Sequence, residues 1–304
     1  MRLIFILAFA LALASPAFAT DGVAEINQAC GAQTGCFPGD TAGFPVDITQ
    51  PGSYRLTSSL AIGNVFSPGI MISASEVTLD LNGFAITNGV TCSGLGSTVS
   101  CNVSSDSRQG IDARNQARVT VRNGTIRGFA GGGIKAGDYA DISNIQVEQT
   151  GGSGIWTGAY ASVTNSTTAI NSAGGVIVTT SSEVIGVIAR SNGNHGITAG
   201  NGSTIKNVRA WDNGGNGFEL AFGIVMTDST SYINEGDGIN SLGGCLIRGN
   251  AAYANGRDGG GYQLRTLPDS AYAENVFRSA TGHLGHVLGG VNTGGNLCSG
   301  AVCP

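Results

Sequence analysis

The side chains best suited to acid–base chemistry in this 304-residue chain are few, and they fall at related positions. Asp237 directly precedes a repeated glycine, and Asp258 lies nearby in the longer repeat that follows. Two carboxylates on neighbouring repeats can divide the roles of general acid and general base. His195 holds the same position two repeats earlier, roughly 10 Å away at the strand spacing of a sheet and beyond direct hydrogen-bond range. Turn geometry favours Asp, Asn and Ser at such positions, so a structural role is the alternative interpretation.

A second set of residues is suited to binding sugars. Arg190, Trp211, Tyr232 and Tyr253 are spaced 21 residues apart and are predicted to form one outward strip. On a parallel sheet their side chains would stand about 4.8 Å apart. Aromatic faces suit sugar rings, and Arg suits the carboxylates of uronic acids, so these four are the predicted substrate-binding residues. The alternative is that stacked outward aromatics only stabilise the sheet through neighbour contacts.

The elements that must position these side chains are defined by a glycine repeat. Six glycines recur every 21 residues, each followed by an apolar residue. They are Gly133, Gly154, Gly175, Gly196, Gly217 and Gly238. Gly110 before Ile111 and Gly261 before Tyr262 continue the pattern at a spacing of 23. A fixed period of this length indicates one supersecondary unit stacked many times.

Two further columns define the repeat. One is apolar: Ile142, Val163, Val184, Ile205, Met226 and Ile247. The other is polar: Asn171, Asn192, Asn213, Asn234 and Asn255. Helices do not fit between the turns, so the columns predict an all-β, parallel solenoid of about nine coils, on the order of 40–45 Å long. The Asn column is predicted to form a structural ladder of amides at an inward bend.

The ends and the cysteines indicate an exported protein with stapled caps. Residues 1–19 have the pattern of a secretory signal peptide. Residues 20–50 are predicted to cap the first coil, and residues 51–285 are predicted to form the solenoid. Residues 286–304 are predicted to cover its other end. Three close cysteine pairs predict local disulfides and no metal site. The pairs are Cys30/Cys36, Cys92/Cys101 and Cys298/Cys303. Residues 89–109 lengthen one coil to 41 residues and predict a loop that frames a groove.

Composition narrows the partners. The formal net charge is −5, charged residues make up 12% of the chain, and no Lys/Arg cluster is present, which argues against a nucleic-acid partner. After the signal peptide, no segment has the run of about 20 apolar residues that a membrane span needs. The predicted location is therefore secreted or periplasmic. The oligomeric state is left open.

The chain resembles the exported bacterial right-handed parallel β-helix proteins of the pectin-lyase-like superfamily. The resemblance lies in the opening stretches PGSYRLTSSLAI and GIMISASEVTLDLNGFAI and in the repeated pattern N-x-x-x-G-[IVF]. It implies the fold, whereas the activity stays open, because the superfamily includes polysaccharide lyases, glycoside hydrolases, epimerases and proteins without known activity. Galacturonan hydrolases carry a G-H-G motif, which Asn194-His195-Gly196 matches only in part.

Pectate lyases in the same superfamily use an Arg base beside an acidic Ca²⁺ cluster. Arg209 is a candidate for that base, and Arg248 is also available, but no tight run of Asp or Glu is present to hold the ion. No cofactor is therefore predicted, with Ca²⁺ left open. The predicted function is carbohydrate-related, meaning binding or processing of a polysaccharide or a cell-surface glycan. The alternatives are a non-catalytic adhesin or structural surface protein, and a polysaccharide lyase, hydrolase or epimerase.

Overall fold

The computed structural model describes residues 22–103, 108–257, 259–279 and 285–303. The predicted signal peptide at residues 1–19 and the candidate Asp258 lie outside these residues. Within them, no helix is long and apolar enough to cross a membrane. The helices are a single π-helical turn at Cys30–Thr34 and a 3₁₀ turn at Gly96–Thr98.

The repeated glycines introduce the strands of an eleven-stranded parallel sheet, called here the first sheet. Its strands are Val46–Ile48, Ile70–Ile72, Ile111–Ala113, Ile134–Ala136, Ile155–Trp156, Val176–Val178, Ile197–Ala199, Phe218–Phe222, Ile239–Gly243, Tyr262–Arg265 and Gly285–Leu288. Through the regular run, strands pair in register with the strand 21 residues later, as in Ile155 with Val176. The apolar residue after each glycine points into the core, and its successor points outward.

Each coil continues through two further strand positions, the second and third faces. Strands Thr120–Arg127 and Asp141–Glu148 span both faces and join them into one 22-stranded sheet. The other strands of the second face are Ala24–Ile26, Gly52–Leu56, Val77–Asp80, Ser162–Thr164, Glu183–Ile185, Thr204–Lys206, Val225–Thr227, Leu246–Arg248, Ala271–Ala273 and Val291–Asn292. The other strands of the third face are Leu60–Ala61, Ala85–Thr87, Thr167–Ala169, Ile188–Arg190, Arg209–Trp211, Thr230–Tyr232, Ala251–Tyr253, Val276–Arg278 and Leu297–Cys298.

Two antiparallel pairs complete the strands that the structure describes. Cys92–Ser93 pairs with Ser100–Cys101 in the long excursion. Leu297–Cys298 pairs with Ala301–Val302 at the C-terminal end. Each pair is closed by a disulfide, so both hairpins are held by a covalent bond as well as by backbone hydrogen bonds.

All three predicted disulfides are present: Cys30–Cys36, Cys92–Cys101 and Cys298–Cys303. In the structure Cys303 is 4% exposed and packs with Cys298 in the main hydrophobic core. The reason is that Cys298 belongs to a strand of the last coil, so its partner is drawn against the end of the core. The remaining cysteine, Cys245, is buried and forms no disulfide.

The number of coils exceeds the predicted nine. The second face contains twelve parallel strands, so the rod has about twelve coils. The prediction was too low because the stack continues at both ends, through Val46–Ile48 and Gly285–Leu288, where the spacing departs from 21 residues. The prediction also misplaced the core residue after Gly261. Leu264, not Tyr262, pairs with Ile239 and is fully buried, because this coil is longer.

The core consists of the predicted inward columns. Ile142, Val163, Val184 and Ile205 are all fully buried, as are the residues that follow the repeated glycines from Ile155 to Ile239. Burying one such side chain contributes about 1.5–3 kcal/mol. Because every coil repeats these positions, the core is continuous along the rod.

A ladder of buried Asn amides stabilises the bend between the third face and the first sheet, as predicted. Asn213 Oδ1 accepts hydrogen bonds from the backbone N–H and the side-chain Nδ2 of Asn192, at 3.1 and 3.0 Å. Asn213 Nδ2 donates to the carbonyl of Ala189 and to Asn234 Oδ1, at 3.0 and 2.9 Å. The ladder continues to Asn255, whose Nδ2 donates to Gln263 Oε1. The amide side chain is suited to this site because it both donates and accepts.

Replacing one rung should destabilise the whole rod. Asn213→Ala leaves the Asn192 donors without an acceptor in a site that water does not reach, and we expect the unfolding free energy to fall by about 3 kcal/mol. Denaturant unfolding followed by circular dichroism measures the change. The matched control is Asn194→Ala at an exposed position of the same bend, where we expect little change. Equal losses in the two variants would contradict a structural ladder.

Candidate functional site

The predicted strip is present on the outside of the third face. Register pairs Arg190 with Trp211, Trp211 with Tyr232, and Tyr232 with Tyr253. Tyr253 pairs in turn with Arg278, which the sequence interpretation did not include because the last coils depart from the 21-residue spacing. Tyr232 and Tyr253 are 40% and 38% exposed, so both reach solvent.

Much of the aromatic surface in this strip is covered by its own neighbours. The Tyr232 and Tyr253 rings stack with centroids 5.3 Å apart and planes 7° apart. The Arg278 guanidinium lies 5.3 Å from the Tyr253 centroid, and Arg190 lies 5.8 Å from that of Trp211. These contacts support a stabilising role for the stack, and they leave ring edges and the Tyr hydroxyls as its outward surface.

An opening remains in the middle of the strip. Among the ring contacts of the described residues, none joins Trp211 to Tyr232. A depression of about 580 Å³ lies at this point, lined by Trp211, Tyr232, Arg209 and Thr230. The depression is shallow and open to solvent. The structure thus places Arg209 beside the strip, where it can hold an anionic group of a ligand.

His195 and Asp237 belong to a different cluster, at the edge of the first sheet. We call it the acid–base cluster. Asp237 Oδ1 accepts a hydrogen bond from the Tyr262 backbone N–H at 2.7 Å, and its Oδ2 lies 3.0 Å from Arg265 Nε in an ion pair. Glu219 is the second carboxylate of this cluster, and Asn240 Nδ2 donates to its Oε2 at 2.9 Å.

Asn216 connects His195 to Asp237. Its backbone N–H donates to His195 Nδ1 at 2.9 Å, while its Oδ1 accepts from the backbone N–H of Asp237 at 2.6 Å. Its side-chain amide also donates to Glu219. His195 and Asp237 therefore stand on coils separated by one intervening coil, as the spacing predicts, with an amide between them.

The environment shifts the proton affinities of this cluster in directions useful for catalysis. Burial raises the pKa of Asp237. The Tyr262 N–H and Arg265 oppose this effect, and the nearby Glu219 adds to it, so the net shift of the Asp237 pKa is upward. Burial lowers the pKa of His195, against an opposing effect from Glu219. Asp237 therefore keeps its proton to a higher pH than an ordinary carboxyl, and His195 stays neutral to a lower pH than an ordinary imidazole.

Sequence reasoning missed Glu219, Arg265 and Asn240 as partners of Asp237. They occupy the outward column of the first sheet, where Glu219 pairs with Asn240 and Asn240 with Arg265. Asp237 belongs to the column before the glycines. The two columns lie side by side, so Asp237 is close to Glu219, the outward residue of the preceding coil. The sequence could have indicated this pair from the adjacent positions of the two columns.

The outer surface of the first sheet also contains two shallow depressions. One, of about 270 Å³, is lined by Lys135 and Trp156, and the Lys135 Nζ lies 3.8 Å from the Trp156 ring centroid. The other, of about 350 Å³, is lined by Ile177, Thr198 and Glu219. A ligand lying along this sheet would therefore extend from Lys135 and Trp156 to the acid–base cluster.

The excursion predicted to frame a groove crosses the bend between the two sites. We call residues 89–103 the strap. Its tip contacts coils far along the rod, where the Ser97 N–H donates to Glu235 Oε1 at 3.1 Å. The strap therefore lies between the aromatic strip and the acid–base cluster. Among the described residues, no group of three or more His, Cys, Asp or Glu side chains is arranged to hold a metal ion.

Comparison with known proteins identifies the fold. No family model and no curated protein sequence matches the chain. Among solved structures, the A-module of mannuronan C-5 epimerase AlgE4 from Azotobacter vinelandii is similar at a TM-score of 0.61 and 13% identity, over 91% of this chain and 84% of that one. The AlgE6 A-module from the same organism is similar at 0.55 and 14%, over 92% and 88%.

The Dettilon tailspike protein gp208 is also similar, at a TM-score of 0.59 and 13% identity, over 86% of this chain and 59% of the tailspike chain. These likenesses confirm the predicted right-handed parallel β-helix, the fold of the pectin-lyase-like superfamily. At such low identity they show the fold alone, and the site must be argued from its own residues.

The raised pKa of Asp237 has a measurable effect on stability. A carboxyl with a folded-state pKa above its ordinary 3.8 contributes stability that is present at lower pH and lost as pH rises through the folded pKa. From about pH 4 upward to that pKa, the unfolding free energy of the wild type should therefore fall relative to that of Asp237→Asn. Unfolding at a series of pH values measures the difference. Parallel curves for the two proteins would contradict the shift.

Proposed function

We propose that the protein binds an acidic polysaccharide along the third face. The depression between Trp211 and Tyr232, flanked by Arg209, carries this proposal. Trp211 and Tyr232 line a depression large enough for a sugar unit, and a guanidinium is available for a carboxylate. Arg190 and Arg278 at the ends of the strip make the surface locally positive, although the chain as a whole is negative.

The spacing of the strip supports a chain-like ligand. Successive outward side chains stand about 4.8 Å apart, which is comparable to one sugar unit of an extended polysaccharide. The Tyr232–Tyr253 stack then presents hydroxyls at neighbouring positions for hydrogen bonds to a sugar chain. Two of the similar structures are modules of enzymes named for their action on mannuronan, which supports a polysaccharide as the ligand class.

Export belongs to the same proposal. Three disulfides support an oxidising compartment, secreted or periplasmic, where polysaccharides and cell-surface glycans are accessible. The signal-peptide pattern at residues 1–19 supports the same location.

Removing the aromatic wall of the depression should weaken binding selectively. We expect Trp211→Ala to lower the affinity for polyuronates about tenfold, because it removes the larger ring face, and Arg209→Gln to lower it for polyuronates but not for neutral glucans. Retention of the mature protein on a panel of both polymer types, followed by titration, measures this.

The matched control for these variants is Tyr139→Ala. Tyr139 is also exposed and also stacked, 5.0 Å from Tyr160, but it lies on a different bend of the rod. We expect this variant to bind like the wild type. Equal loss in Tyr139→Ala and Trp211→Ala, or no retention of the wild type on any polymer, would contradict binding at the strip.

A second candidate function is catalysis on a polysaccharide at the edge of the first sheet. It is favoured by the opposed pKa shifts of Asp237 and His195 around Glu219. Asp237 would donate a proton, ionised Glu219 would accept one, and Arg265 would hold a carboxylate of the substrate. The same groups suit a lyase, a hydrolase or an epimerase, so the reaction class is decided by its products.

Loss of the proton donor or of the proton acceptor should abolish such an activity while leaving the fold intact. We expect Asp237→Asn and Glu219→Gln each to lower turnover at least a hundredfold, whereas Glu183→Gln, exposed on the second face, should not change it. Ultraviolet absorbance detects unsaturated lyase products, reducing ends detect hydrolysis, and proton NMR detects epimerised residues. If the wild type is silent in all three assays yet retained on polyuronates, the non-catalytic binding module is the correct alternative.

A further inference from the structure

The tip of the strap is fixed to the rod by a small polar cluster. Glu235 Oε1 accepts hydrogen bonds from the Ser97 N–H and from Arg257 Nη2, the latter at 2.9 Å. Arg257 Nη1 donates to Asp212 Oδ1 at 3.0 Å. One guanidinium therefore joins carboxylates of two different coils and fixes the residue on which the strap tip rests. We call Ser97, Glu235, Arg257 and Asp212 the latch.

The strap lies on a bend whose side chains are small. The position that Glu235 occupies in its coil is filled in the preceding coils by Gly151, Ser172, Gly193 and Gly214. A Cβ added at Gly214 would collide with the Ser97 backbone, and one at Gly151 would come within 2.9 Å of the Val103 carbonyl oxygen. Glu235 therefore stands at the end of a flat track, where a long side chain can reach the tip.

The two ends of the strap are attached by different interactions. Near its root, Val90, Cys92 and Val99 pack with Ala130 in a small apolar cluster, and the Cys92–Cys101 disulfide closes the hairpin. At its tip the fixed contacts are polar, and Leu95 is 52% exposed. The tip lies outside this apolar cluster, so it is the end that can detach at lower free energy.

The latch is also imperfectly satisfied. Glu235 is 7% exposed, yet its Oε2 has no hydrogen-bond partner among the described residues. Burying an unpartnered carboxylate oxygen costs free energy and offsets part of what the Oε1 contacts contribute. Arg257 is nearly half exposed, so it can exchange its partners for water or for a ligand anion.

We propose that the strap is a movable wall, latched at its tip by Ser97, Glu235 and Arg257, that controls access of a polysaccharide to the bend between the aromatic strip and the acid–base cluster. The latch itself depends only on the contacts described, whereas its role in access rests on the proposed polysaccharide binding. With the tip down, a ligand on the third face is separated from the first sheet. With the tip released, a single chain can cross the bend.

Hydrogen exchange of the strap amides tests the latch without any ligand. In Glu235→Ala and in Arg257→Gln we expect amides of the tip, Ser97 and Thr98, to exchange roughly ten- to a hundredfold faster than in the wild type, because a charge-assisted contact is lost. Arg257→Lys should be intermediate. The matched control is Arg248→Gln, which breaks an exposed ion pair to Glu274 on the second face and should leave the strap unchanged.

The association rate of a polyuronate with the same proteins tests access. Faster tip exchange together with a changed association rate in both latch variants supports the proposal. Unchanged tip exchange in both variants overturns the latch, and faster exchange with an unchanged association rate overturns the role in access. A wild type that binds no polyuronate overturns the proposed function and with it the access role, while the exchange result still decides whether the latch exists.

Discussion

The inward bend between the third face and the first sheet is the feature on which the rest of this structure depends. A bend of this kind buries backbone donors that no strand pairs and no water reaches, and unpaired buried donors are costly. The column from Asn171 to Asn255 satisfies them, because each amide accepts from one coil and donates to the next. Each amide needs a partner at the same height in the next coil, and this requirement aligns the coils, which are 21 residues apart in the regular run. Strands on the three faces are then held in register.

The inward columns form the core and the ladder, which leaves the outward columns available for other roles. The core and the ladder are built from inward side chains, and the strip and the acid–base cluster lie outside them. Both candidate sites border the same bend, one from the third face and one from the first sheet. The strap can lie on that bend because its outward positions are mostly glycine, as at Gly214. The geometry that satisfies the backbone thus also brings the two sites and the strap together.

The sequence predicted the fold better than the sites, for a physical reason. Columns such as Ile142 to Ile247 repeat a local rule, so their burial, the Asn ladder and the outward direction of Trp211 could all be inferred from spacing. The number of coils was underestimated because the end coils, such as that of Leu264, do not keep the spacing. The contact between Ser97 and Glu235 joins residues 138 positions apart and follows no period, so only the folded chain reveals it. The effect of Glu219 on the pKa of Asp237 likewise follows from burial in the folded chain.

The aromatic strip illustrates why spacing alone does not decide function. A 21-residue period places rings at about 4.8 Å, which suits stacking of one ring on the next as well as stacking of sugars on rings. The two uses compete for the same ring faces. The rings of Tyr232 and Tyr253 stack on each other, and the Arg278 guanidinium lies over the Tyr253 ring. At the next step the neighbouring ring is the larger indole of Trp211, and the depression opens there, with Arg209 at its side. The interruption of the stack, rather than the stack itself, is therefore the feature that favours a ligand.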